Sequence, residues 1–491
     1  MKRFNTGFII VICLFLTLAS YTNSDTIHIP PDAYSGFLDL SNVNFSKNIY
    51  SLNGEWRFIW NLFLEPDDPR WHTSDVLMVN IPGLWKEIIV DEEYLQNTGY
   101  CSMQLEVKTP PGINNFGLKV NQVGTAYTLF VDDVELIKNG EAGTDRSTSR
   151  GCYQPRAVYF KTLTDQFTIT MHIANFHDRL GGAWTRMYIG SNERISIRNY
   201  IDNGTDLFLL GIFFIIGIYY IITWYFGERK SAQLWFGLCL LMIAARTATS
   251  GGILLMTVFP DFSFELNHKI QMFSQAAFVY FFIVSLKYIF PKEIAMTTVR
   301  VVQILMILYG IVIIVTPLII HSYLLYPFHI FVVCLAAYMI FTFILASVKK
   351  RPGGLILSIG LIILSLTAIN DILYSSAVIK TGYVLTYGLI LFSISYIIVL
   401  ARSSSSISNI PGETIDDSML IELRAKGISN RESEVLVLLL QGKRYEDMGK
   451  CLFISKSTVT KHVHSIYQKL DVKNRVDLYE NIKRISILLE K

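Results

Sequence analysis

Between positions 456 and 468, Lys456, Ser457, Thr460, Lys461, His464 and Gln468 recur at helical spacing. Val459, Val463, Ile466 and Leu470 fall on the opposite face of the same helix. The first face carries cations, hydroxyls, an imidazole and an amide, all groups that donate hydrogen bonds. Concentrated toward a helix N-terminus, they are the equipment that reads base edges in a major groove and grips phosphates. The bland alternative is a solvated basic face.

The elements around that helix strengthen the first reading. Ser429-Asn430-Arg431-Glu432 has the form of a capping box, in which the Ser hydroxyl and the Glu carboxylate each take a free backbone amide. It opens a helix with Val435, Leu438 and Leu439 on one face, ending near Gly442. A short helix is expected over 445–452, and Ser455 then caps the donor-bearing helix. The order of the three is that of a helix-turn-helix.

Everything upstream is organised by seven apolar segments, 207–226, 232–250, 270–290, 299–320, 324–348, 355–374 and 384–400. Each approaches the roughly 20 residues of helix that a hydrocarbon layer requires. They account for a hydrophobic content of 51% in a chain of 491 residues and a mean hydropathy of +0.38. Arg229, Lys230, Lys287, Lys292, Arg300, Lys349, Lys350, Arg351 and Arg402 flank one side of the block, against Lys269 and Lys380 on the other. Loops rich in such residues stay in the cytoplasm, so the N-terminal region is expected outside and the C-terminal region inside.

Charge is divided in the same way. Residues 25–200 hold 21 acidic and 15 basic side chains, and residues 418–491 hold 9 acidic and 14 basic. The balances of −6 and +5 fit a polyanionic partner at the second end only. Lys2 and Arg3 followed by an apolar run to Ala19 have the layout of a signal peptide over 1–24, with an uncleaved anchor as the alternative. A polar tract over 402–425, with Ser403 to Ser406 and Pro411-Gly412, reads as a flexible linker. No glycine-rich nucleotide loop is present in the cytoplasmic part, and no cofactor or metal is expected.

Residues 25–200 change to the period of strands, in short alternating runs such as 51–60, 100–107, 116–120, 127–131, 157–162, 167–173 and 194–198. Asp132-Asp133 reads as a tight hairpin turn. Many short strands without intervening helices indicate a β-sandwich. Cys101 and Cys152 share the oxidising side, which makes one disulfide available; two small buried thiols are the alternative.

Leu52-Asn53-Gly54-Glu55-Trp56-Arg57-Phe58, Ile81-Pro82-Gly83-Leu84-Trp85, and Ala174-Asn175-Phe176-His177 before Gly181-Gly182 resemble the galactose-binding-like jelly roll. That domain occurs ahead of sugar-cleaving barrels and as the outer domain of bacterial seven-transmembrane receptors with diverse intracellular signalling modules. Arg246, Tyr288-Ile289-Phe290-Pro291 and Asn370-Asp371-Ile372-Leu373-Tyr374 carry the resemblance into the membrane block. The catalytic carboxylates of the sugar-cleaving enzymes lie on a barrel this chain lacks, so the resemblance implies binding rather than catalysis. Tyr153, Asn175, Arg179 and Trp184 are the candidate ligand platform, with core packing as the alternative.

Arg246 and Asp371 are ionisable residues within apolar segments, where charge is expensive and usually functional or paired. At roughly 1.5 Å per residue they lie about 21 and 24 Å from the inner ends of their helices. A facing ion pair is expected, separate snorkelling being the alternative. The residues disfavour a retinal pump, because the segment 384–400 has no lysine for a Schiff base.

Arg431-Glu432-Ser433-Glu434-Val435-Leu436, Ser455-Lys456-Ser457-Thr458-Val459-Thr460-Lys461-His462 and Lys469-Leu470-Asp471-Val472-Lys473-Asn474-Arg475 resemble the LuxR-type DNA-binding domain over about 427–489. The resemblance implies base contacts from Thr460, Lys461 and His464, phosphate contacts from Lys456 and Ser457, and architectural roles for Val459, His462, Leu470 and Arg475. It also implies pairing of two copies on DNA. Met448-Gly449 departs from the usual Ile-Ala, and Gly inside a helix costs about 1 kcal/mol relative to Ala. The expected architecture is a multidomain membrane protein: an outer all-β jelly-roll sandwich, a seven-helix transmembrane bundle and a small all-α helix-turn-helix domain over 426–491. The expected partners are double-stranded DNA, the lipid bilayer and a small-molecule or carbohydrate ligand. A transporter or membrane enzyme with an appended regulatory domain is the competing reading, and a helix-turn-helix serving protein contact is a second.

Overall fold

The computed structural model describes residues 27–28, 32–90, 92–227, 231–349, 353–376, 378–379, 381–408, 422–452 and 454–489. The signal peptide and most of the linker expected from the sequence lie outside them. The chain forms two compact units, Met1–Ser393 and Ile394–Lys491.

The first unit opens with a β-sandwich. One sheet joins Ile27–His28, Ile49–Ser51, Met187–Ser191, Asn115–Val120 and Arg156–Lys161 in that spatial order. The other runs Val134–Asn139, Ala126–Val131, Gln166–Asn175, Gly99–Lys108, Gly54–Trp60 and Leu77–Ile81, with Phe37–Asp39 pairing to Gly99–Lys108. Alternation drives inward residues of both sheets into one core that includes Trp56, Phe58, Met103, Leu105, Phe116, Leu118, Leu129, Ile169 and Met171. The Asp132-Asp133 turn closes a two-residue hairpin, since Val131 pairs directly with Val134. Asp132 takes a positive φ of 51°, which a short polar side chain tolerates.

Cys101 and Cys152 are both free. Cys101 is wholly buried in the strand Gly99–Lys108, where its thiol meets Trp85. Cys152 lies in a connection whose amide donates to Thr125 O, packed on the separate cluster of Tyr153, Ile253 and Met256. The two stand in different hydrophobic environments, and no bridge forms.

Residues 194–198, expected as a strand, are helical. Ser191 ends the last strand and caps α1 (Asn192–Phe226) through its hydroxyl, with Glu193 in the first turn. Both features stabilise a helix start more than local β-branching opposes it. Then follow α2 (Ser231–Thr249), α3 (Leu254–Val258), α4 (Phe264–Ile289), α5 (Met296–Val315), α6 (Leu318–Tyr323), α7 (Leu325–Val348), α8 (Gly354–Ser375) and α9 (Leu385–Ser408). Among the described residues, six helical stretches are long and apolar enough to cross a membrane, while the apolar part of α9 is the shorter Leu385–Val399. Ser403 to Ser406 continue α9 instead of starting a linker. A formed helix gains a hydrogen bond per added residue, and Ser costs only tenths of a kcal/mol.

The second unit carries α10 (Asn430–Leu440), α11 (Tyr445–Leu452), α12 (Lys456–Lys469) and α13 (Arg475–Leu489). Their apolar faces close on Leu423, Ile428, Val435, Leu436, Leu439, Met448, Val459, Val463, Ile466, Leu470, Leu478, Ile482 and Ile485. Leu438, expected inside, is half-buried at the edge of this core.

Candidate nucleic-acid interface and ligand cavity

In the second unit, α12 is aimed by its caps and by one carboxylate. Ser455 Oγ accepts the amide of Thr458 at 3.1 Å. The capping box at the start of α10 forms as expected: Ser429 N donates to Glu432 Oε2 at 2.8 Å and Glu432 N to Ser429 Oγ at 3.3 Å. Glu432 does more than cap. Ser465 Oγ donates to its Oε1 at 2.6 Å and Lys469 Nζ to its Oε2 at 2.6 Å, so the side chain also ties α10 to α12. Burial raises the pKa of Glu432, but the hydrogen bonds from Lys469, Ser465 and Ser429 outweigh it and hold the carboxyl at about 2. Nothing in the sequence linked Glu432 to Ser465 and Lys469.

Lys456, Ser457, Thr460, Lys461 and His464 are all exposed, while Val459, Val463 and Ile466 of the same helix are buried. The structure therefore brings all five predicted DNA-contact residues onto one open face. Gln468 joins them, its Nε2 standing 3.4 Å from His464 Nε2. Arg475 is half-buried and donates to the backbone oxygen of Leu439, an architectural use. Gly449 has a local cause: an added Cβ would stand 2.8 Å from Ile454 O, so the helix-to-turn approach excludes a larger residue without movement. The glycine removes a clash at the same time as it lowers helix propensity.

In the first unit, sandwich and helix ends border a cavity with about 860 Å³ of empty space, part of it open solvent. Tyr153, Arg179 and Trp184 line it from the sandwich, and Arg246, Asn267, His268, His329 and Asp371 from the helices. Gly181 and Gly182 hold the sandwich segment in place. Trp85 N donates to Gly181 O at 3.1 Å, and a Cβ on Gly181 would stand 2.2 Å from Asn97 O.

Three of the four candidate ligand residues thus share a cavity, and the fourth does not. Asn175 is fully buried and spent on the turn below: its amide donates to Asp178 O at 2.9 Å and Asn97 O at 2.6 Å, and its oxygen accepts from Asp178 N at 3.1 Å. Asp178, not singled out from the sequence, accepts the Tyr153 hydroxyl at 2.7 Å. Burial and the Asp178 charge push the Tyr153 pKa well above its ordinary value, keeping it a donor. Arg179 Nη2 donates to Ser375 O at the end of α8, 2.9 Å away, and its guanidinium lies 5.2 Å from the centre of the Tyr326 ring.

Arg246 and Asp371 line this same cavity but do not form the expected ion pair. Asp371 Oδ1 instead accepts Val384 N at 2.7 Å and Leu385 N at 3.2 Å, capping α9. Its Oδ2 and the Arg246 Nε have no hydrogen-bond partner. The two free amides at a helix start are a competing claim on the carboxylate that the depth argument did not include.

Residues 202–403 match the family model described as 7TM diverse intracellular signalling, and residues 426–481 match that of bacterial regulatory proteins, luxR family. The spore germination protein GerE of Bacillus subtilis (strain 168) is 38% identical over 61 residues, which are 12% of this chain and 82% of that protein. The uncharacterized transcriptional regulatory protein YxjL of the same strain is 45% identical over 51 residues, 10% of this chain and 23% of that one. The chain spans about a quarter of another relative, YhjB of Escherichia coli (strain K12), at 42% identity over 50 residues. A Ruminococcus gnavus beta-glucuronidase structure covers 29% of this chain and 28% of its own at 13% identity, with a TM-score of 0.22, a likeness too slight to argue from.

Proposed function

Because the chain belongs to the luxR family of bacterial regulatory proteins and also carries a 7TM diverse intracellular signalling domain, we propose that it is a one-component sensor that regulates transcription from the membrane. An extracytoplasmic ligand, a carbohydrate or similar polar metabolite, modulates DNA binding by the cytoplasmic helix-turn-helix. The observation that carries this reading is the open donor face of α12 in the same chain as the apolar helices. Seven crossings, with α9 as the last, put the jelly-roll sandwich outside the cytoplasmic membrane and the DNA-binding end inside, in accord with the Lys and Arg distribution. Two copies pair on a two-fold DNA site. Genome-wide footprinting of the tethered protein tests the reading: discrete protected sites support it, and their absence together with no affinity of residues 418–491 for any genomic fragment at low salt refutes it.

A further inference from the structure

Buried polar atoms without a partner gather around the cavity between sandwich and helices. Arg179 Nε, Trp184 Nε1, Arg246 Nε, Asn267 Oδ1, His268 Nδ1 and Asp371 Oδ2 all lack a hydrogen-bond partner, and all six residues line that space. Arg179, Asn267 and Asp371 are no more than 5% exposed. An unmet buried polar group is costly, so their convergence on residues around one space marks a place built to be filled by something polar.

The atom types narrow what fills it. Arg179, Arg246 and Trp184 offer donors, whereas Asn267 and Asp371 offer acceptors. Among the lining residues, Arg179 and Arg246 are balanced by Asp178 and Asp371. A ligand bearing net charge would upset that balance beside side chains buried from solvent, where uncompensated charge is costly. A molecule rich in hydroxyls supplies donors and acceptors together and adds no charge.

Asp371 gives the site a way to act. One carboxylate oxygen caps α9 through Val384 N and Leu385 N, and the other is buried without a partner on a residue that lines the cavity. The two oxygens belong to one rigid plane, so a donor placed on Oδ2 fixes the rotation that sets the cap. Helix α9 then runs without a break from Leu385 to Ser408.

Resting on the sensor reading above, we infer that this junction is the input site: a small, neutral, polyhydroxylated molecule joins Arg179 and Trp184 to Asn267 and Asp371, and its hydrogen bond to Asp371 is felt at the start of α9. The full chain in lipid nanodiscs tests this, with thermal unfolding and DNA affinity measured against a panel of neutral aldoses, disaccharides and alditols, and against gluconate and glucosamine as charged counterparts. At least one neutral compound should raise the unfolding midpoint and change DNA affinity. Asp371→Asn keeps an oxygen for the cap but puts an amide nitrogen where Oδ2 stood, and should weaken binding of that compound by about tenfold or more. Asn267→Ala, which leaves the cap untouched, should weaken it as well. Stabilisation by no neutral compound, by the charged compounds alone, or undiminished in both variants overturns the inference. DNA binding that persists in that case leaves the transcriptional reading standing, whereas no DNA binding by the wild-type chain with or without any compound would count against that reading instead.

Discussion

The Lys469 ammonium lies 2.6 Å from a Glu432 carboxylate oxygen, joining the end of α12 to the start of α10. Glu432 is nearly buried, and the same oxygen caps Ser429. One ionised group therefore ties α12 to α10 in addition to the packed apolar face of α12.

A pH dependence follows. The folded-state pKa of Glu432 is lowered from 4.5 to about 2, so its contribution is fully present above about pH 4.5 and is lost as pH falls toward 2. Residues 418–491 should lose stability across that window, and Glu432→Gln should flatten the loss while costing about 1–3 kcal/mol at neutral pH. Denaturant unfolding at several pH values measures both.

On DNA, Lys461→Ala should lose about 1–3 kcal/mol of discrimination between a specific and a random duplex. Lys456→Ala should weaken both duplexes alike and reduce the salt slope by about one. Titrations of the two variants at several salt concentrations separate these effects.

Gly449→Ala, which propensity alone predicts to stabilise by about 1 kcal/mol, should fail to do so because the new methyl meets Ile454 O. A thermal melt of residues 418–491 with and without the substitution reads the difference.

Exchanging the two charges, Arg246→Asp with Asp371→Arg, should not restore what Asp371→Ala loses, since a guanidinium cannot accept the amides of Val384 and Leu385. Asp371→Ala should cost about 0.5–2 kcal/mol as a lost cap. Unfolding of the detergent-solubilised chain compares the single and double variants.

Cys101 and Cys152 should both take up alkylating reagent after denaturation without reductant, because neither is bridged. Mass measurement of the labelled peptides gives the result directly.

Much of this was legible locally. The capping box at Ser429 and Glu432, the buried face of Val459, Val463 and Ile466, and the Asp132-Asp133 hairpin each depend on residues within a turn or two, and sequence spacing records them. Residues that act across elements left no such mark. The reach of Lys469 to Glu432 spans 37 positions, and the approach of Arg179 to Ser375 spans 196. Asp371 shows how a local rule is lost to a tertiary one: its depth suggested a cationic partner, but the unmet amides of α9 were closer. Asn175 erred the other way, for its polarity suggested a ligand and the turn beneath it had already used both ends of its amide.

Helix α1 is 35 residues long and begins directly on the last strand of the sandwich. At about 1.5 Å per residue it measures roughly 52 Å, well beyond a hydrocarbon layer of about 30 Å. Its first turns are pinned to the sandwich: Ile195 packs where Gly117 leaves room, and Asp202 pairs with Lys119 and Arg198. With no hinge between strand and helix, a tilt of the sandwich becomes a tilt of the rod. Cutting the chain at position 200 would saw through that rod and remove Asp202 from Lys119, so an intact sandwich has to be excised with the first turns of α1 still attached.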